Sequence, residues 1–199
     1  MIARPGGRAV VLALAGALAA CSSPNPDLYT LAPVPGTPAP GGPATVVLHQ
    51  VSIARYLERP DIVRSSENFR LEVMANDAWG EPVAPMISRV LADDLSQRLP
   101  GTTILNINGA ITAKEDATVE VNVQRMDRDA TGALAFVGQA SVEPAQSARG
   151  VVTRTVRTSV PIASAATAEE VRAMSLAIGR LADEVAEMLR GTSTQRRRN

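Results

Sequence analysis

The chain has a single cysteine, Cys21, a single histidine, His49, a single lysine, Lys114, and only five aromatic residues among 199. One cysteine excludes an internal disulfide framework, so packing alone must hold the fold. One histidine excludes metal sites built on several imidazoles, and any catalytic triad would have to use His49. Charge of one sign is also missing: 20 basic residues balance 20 acidic ones, and nothing in that balance asks for nucleic acid. No phosphate loop, dinucleotide glycine fingerprint or nucleophile elbow occurs, so ATP hydrolysis by this chain is not expected. The apolar run over 9–20 would cover roughly 18 Å as a helix, short of the roughly 30 Å hydrocarbon core of a bilayer.

What is present at the start is a positively charged leader containing Arg4 and Arg8, followed by that apolar run, the layout of a removable secretory signal. Leu18-Ala19-Ala20-Cys21 resembles the lipobox of bacterial lipoproteins, with the only thiol at the acceptor position. A plain signal peptide and a retained anchor are the competing readings. Lipid on Cys21 would supply more than one acyl chain, as stable anchoring requires at roughly 0.8 kcal/mol per buried methylene. Ser22 stands where inner-membrane retention signals place Asp, which by resemblance implies transfer to the outer membrane. Cleavage before Cys21 removes two arginines and leaves a periplasm-facing domain of ordinary size with a charge near −2.

The expected organisation is a signal over 1–20, a lipidated tether over 21–27, one domain over 28–191 and a disordered basic tail over 192–199. Seven of the fourteen prolines lie between 24 and 43, which excludes regular helix or central strand there. Leu28-Tyr29-Thr30-Leu31 could nonetheless form a first strand. The tether would then be short, about 20 Å when extended. Without that strand it could reach about 70 Å as polyproline helix. Strands are expected over 45–53 and 69–74, where apolar residues alternate, then a helix over 82–99 opened by Pro82 and stopped by Pro100-Gly101. Further strands are expected over 103–107, 118–126, 133–142 and 151–160, with a hairpin turn at 127–132. The last helix, 168–190, has apolar residues at spacings of three and four, a Thr167/Glu170 capping box and Gly191 at its end. Its seam suits packing on a sheet better than a coiled coil of barely three heptads. This order gives an α+β fold, a mainly antiparallel sheet with two amphipathic helices on one face.

No catalytic constellation emerges, and no cofactor or metal is expected. His49 reads as a strand histidine without a partner identifiable from sequence. Asp93-Asp94 and Glu169-Glu170 read as solvated helix faces, because adjacent helical residues diverge by about 100°. The unusual residues cluster instead in 55–64 and 76–82. Tyr56, Leu57, Arg59, Pro60 and Trp79 are candidates for a partner surface, since Tyr, Trp and Arg are enriched at binding hot spots; Trp79 could equally cap the core.

Tyr56-Leu57-x-Arg59-Pro60-x-Ile62-Val63, Trp79-x-Glu81-Pro82 and Val90-Leu91-Ala92-x-x-Leu95-Ser96-x-x-Leu99-Pro100 resemble the ABC-type transport auxiliary lipoprotein family, the PqiC-like proteins. The resemblance continues through Val119-x-Val121-x-Val123, Gly132-Ala133-Leu134 and Leu176-Ala177-x-x-Arg180-Leu181-Ala182. It departs at Gly138-Gln139-Ala140, where the family leads one to expect a tryptophan. The resemblance implies a non-enzymatic lipoprotein that works with MCE-domain proteins and an ABC permease and ATPase, moving lipid between envelope membranes. It implies that the candidate surface meets a protein partner or another copy in a homo-oligomer. A lipid carrier with its own apolar pocket and a purely structural envelope lipoprotein are the alternatives.

Overall fold

A computed structural model describes residues 25–107, 109–111, 113–145 and 150–196. Cys21, the signal segment and residues 197–199 lie outside the described residues.

The frame is a three-stranded meander: β7 (Ala117–Arg128), β8 (Leu134–Pro144) and β9 (Val152–Val160). In β7 the side chains of Val119, Val121 and Val123 are buried while Glu120, Asn122 and Gln124 are exposed, the alternation of a sheet covered on one face. The register against β8 shifts between Val123 and Arg125. Beyond that bulge the inward set changes phase, so Met126 enters the core and Arg125 and Asp127 fall on the other face. Gly132, with φ +83, closes the turn to β8, where a left-handed conformation costs glycine little. Within β8, the ring of Phe136 lies over Gly138, where an added Cβ would stand 2.9 Å from it. That ring fills the space above the place where an aromatic residue was expected.

Six strands precede the meander in sequence: β1 (Asp27–Tyr29), β2 (Thr45–Leu48), β3 (Ser52–Ile53), β4 (Asp61–Ser65), β5 (Glu72–Trp79) and β6 (Thr103–Asn106). β2, β3 and β4 follow one another along the same edge of β7, all parallel to it. β6 extends the sheet parallel to β2, and β1 lies parallel to β5. The sheet is therefore mixed. The antiparallel pairings β4–β5, β7–β8 and β8–β9 include the longest ladders, but the remaining pairings are parallel, a direction that alternation of residue types does not encode.

Two helices cover one face, α1 (Val83–Arg98) and α2 (Thr167–Arg196), packing on each other, on β6 and on β8 and β9. Their inward residues, Met86, Ile87, Leu91 and Leu95 from α1 and Met174, Ile178, Leu181 and Val185 from α2, are all but inaccessible. Pro82 precedes α1 as its N-cap residue, and Gly101 with φ +90 follows its end.

Several expectations are corrected. Gly191 does not end α2, which continues to Arg196. Thr167 donates its hydroxyl hydrogen to Asp77 at 2.5 Å, and Glu170 is buried against Arg128, so the capping box does not form. The strand expected at 69–74 begins at Glu72 instead. A 3-10 turn over Glu67–Phe69, with Asn68 and Phe69 at φ +56 and +61, delays it. Along this stretch Met74 is buried while Phe69, Leu71 and Val73 face solvent.

Candidate functional site

The two clusters singled out in the sequence meet in the fold. A 3-10 turn over Arg55–Leu57 links β3 to β4, and the end of β5 lies beside the start of β4, with Asp61 opposite Ala78. The Trp79 amide donates to the Pro60 carbonyl at 2.8 Å, and the Leu57 amide closes the turn on Ala54. The side chains divide by position. Leu57 and Trp79 belong to the buried core, where they support the surface without presenting apolar area to a partner. Arg55, Glu58 and Pro60 are exposed, and half-exposed Arg59 pairs with Asp61 at 3.0 Å. Tyr56 packs against the core with its hydroxyl pointing inward, donating to Asp127 Oδ2 at 2.7 Å. Burial and that carboxylate push the Tyr56 phenol well above its ordinary range.

Asp127 is fully buried and organises the end of the sheet beneath this surface. It accepts hydrogen bonds from Tyr56, from Ser66 Oγ at 2.8 Å and from Arg125 Nε at 2.9 Å. Arg125 also reaches Glu67 at 2.6 Å. Close by, Arg128 Nε donates to Glu170 Oε2 at 2.8 Å. Burial raises the Glu170 carboxyl above its usual range, opposed by the Arg128 charge. These groups fix β4, β7 and α2 relative to one another.

A second buried network lies between the helices. Arg98, 2% exposed, donates to Asp183 Oδ1 at 2.6 Å and to the carbonyls of Val34, Asp94 and Gly179. Asp94 accepts the Val34 amide at 2.7 Å. Arg98 and Asp94 thereby strap the proline-rich segment 32–39 across both helices. Asp94 and Glu170 had been expected on solvated faces, and both are completely buried. The sequence signal was available for Asp94 and Arg98: they stand seven and eleven residues after Ile87, in phase with the apolar face of α1.

His49 lies just past β2, with Nδ1 3.3 Å from Glu120 Oε1. This pair borders an open groove of about 370 Å³ on the sheet face away from the helices, lined mainly by polar groups including Gln50, Asn122, Gln139 and Ser141. Among the described residues no group of three or more His, Cys, Asp or Glu could hold a metal ion. The groove can offer hydrogen bonds to a polar ligand, but its lining does not suit an acyl chain.

The sequence model of the family described as ABC-type transport auxiliary lipoprotein component matches residues 29–186, nearly the whole of this fold. The chain belongs to that family. No curated protein matches this auxiliary lipoprotein. Among solved structures it is similar to a Xanthomonas campestris protein of the DUF330 family, with TM-score 0.69 and 20% identity over 86% of this chain and 99% of the other. It is also similar to an uncharacterized protein of known crystal structure, with TM-score 0.68 and 17% identity over 83% and 99% of the two chains. At these identities the likeness shows the fold of the auxiliary lipoprotein.

Proposed function

We propose that this auxiliary lipoprotein is a non-catalytic subunit of an MCE-type ABC system that moves lipid between the envelope membranes. Lipid on Cys21 holds it at the periplasmic side of the outer membrane, and its folded domain docks the MCE-domain protein there. The family match over 29–186 is the observation that carries the reading. The surface at Arg55, Glu58, Arg59 and Pro60 is the docking site, held in shape by Leu57, Trp79 and the Asp127 hydrogen bonds beneath it. Its partner is the MCE-domain protein or a neighbouring copy in a homo-oligomer.

The closely filled layer between helices and sheet favours docking over carriage of lipid inside the domain. A carrier needs an apolar cavity of a few hundred Å³, whereas the inward faces of α1 and α2 are occupied by Met, Leu, Ile and Val side chains buried against the sheet. Pull-down of the cognate MCE-domain protein tests the proposal. Arg59→Ala should weaken capture without unfolding the domain, and capture undiminished in that variant removes Arg59 from the interface. Phospholipid retained by the delipidated domain in native mass spectrometry would favour the carrier instead.

A further inference from the structure

Phe69 is fully exposed at the tip of the loop joining β4 to β5. Both it and Asn68 have left-handed backbone, at φ +61 and +56, a conformation unusual for a bulky residue. Leu71 and Val73 follow at 38% and 40% exposure, with Arg70 and Glu72 exposed between them. An apolar group of this kind, standing out from the fold, marks a surface that meets something apolar.

The strand register shows what lies in front of it. β1 runs parallel to β5 with Asp27 opposite Asp77. β1 therefore enters the sheet from the side on which β5 begins and the Phe69 loop lies. Phe69 stands eight residues before Asp77, and because 73–78 of β5 oppose only 61–63 of β4, the advance in that direction is shorter than the roughly 26 Å of an unbroken strand. The six residue steps from Asp27 back to Cys21 span at most about 20 Å. A bilayer holding acyl chains on Cys21 thus stands no more than about 20 Å from Asp27, the same order of distance as the loop's own reach from it.

We propose that the β4–β5 loop is a second membrane contact, with Phe69 entering the interfacial layer of the leaflet that holds the lipid on Cys21 and Leu71 following behind it. The inference rests on Cys21 being the lipidated residue. Two attachment points restrain the domain from swivelling on its tether, and so orient the opposite end of the sheet toward the periplasm.

The test uses the mature, lipidated full chain in vesicles of phosphatidylethanolamine and phosphatidylglycerol, with and without brominated acyl chains. Phe69→Trp adds an emitter at an exposed position, and Val151→Trp adds one at the far end of the β8–β9 ladder, where Val142 pairs with Val152. Native Trp79, buried in both variants, is the common background. The emission added at position 69 should shift to the blue and be quenched by the brominated lipid, while that added at 151 should do neither. Vesicle flotation of the same samples separates the two readings. Flotation with no quenching at 69, or with equal quenching at both positions, overturns the loop contact and leaves Cys21 as the anchor. Failure of the lipid-treated chain to float overturns the anchor and the loop contact together.

Discussion

Replacing Asp94 with asparagine should make the domain more stable at neutral pH and remove part of its pH dependence. Asp94 is completely buried, accepts the Val34 amide through Oδ1 and lies 3.7 Å from Arg98 Nη1. Its other oxygen has no hydrogen-bond partner. Burial pushes the carboxyl from 3.8 up to about 6, against the opposing pull of the Val34 amide and the Arg98 charge. Because the folded state holds the proton more tightly than the unfolded chain, this group adds stability as pH falls from about 6 toward 4. That contribution is complete below the unfolded value and lost as pH rises through the folded one. A rise of about two units corresponds to about 3 kcal/mol, less whatever Arg98 loses when its neighbour becomes neutral. An asparagine carbonyl can still accept the Val34 amide. Urea unfolding of both proteins at closely spaced pH values is the assay. The variant should exceed the parent by up to about 3 kcal/mol at pH 7, and the two should converge near pH 4. Glu170, whose carboxyl is also raised, gives both proteins a slope of the same sign, so the difference between them isolates Asp94. A difference that stays constant across this range, or grows as pH falls, would refute the reasoning.

Trp79→Ala removes a buried aromatic side chain and should cost about 3–5 kcal/mol in denaturant unfolding; a loss below 1 kcal/mol would mean that the indole contributes little to the core. Tyr56→Phe takes one donor from buried Asp127 and leaves Ser66 and Arg125 in place, so a loss of about 1–3 kcal/mol is expected by the same measurement. Arg59→Ala breaks only a partly exposed pair with Asp61 and should change stability by less than about 1 kcal/mol. Its unfolding curve should nearly overlay that of the parent, which makes it the clean variant for partner capture.

Regular periodicity made much of this fold legible. The apolar phase of α1 and α2 and the alternation of β7 through β9 each follow from burial on one face, and they place the two helices and the meander correctly. Strand direction was less accessible. β2, β3 and β4 have the same residue pattern whether they run with β7 or against it, and only the paths over 49–51 and 54–60 decide. Local alternation also failed to say which face Phe69, Leu71 and Val73 would take, because the turn at Asn68 and Phe69 sets the phase of β5. The two buried carboxylates differ in this respect: Asp94 and its i,i+4 partner Arg98 fall in phase with the apolar face of α1, whereas Glu170 looks solvated until tertiary packing brings Arg128 to it. The candidate surface was found as a region, since the 55–64 and 76–82 segments do meet. Its division into exposed Arg59 and Pro60 and buried Leu57 and Trp79 required the fold.

Affinity purification of the lipidated chain from detergent-solubilised envelopes, alongside a Cys21→Ser form, tests the proposed role most directly. The account predicts that the MCE-domain protein and its ABC permease co-purify with the parent chain, and that the serine form leaves the membrane fraction while keeping its fold. A membrane-bound serine form, or a lipidated parent that recovers no MCE-domain protein, would contradict it.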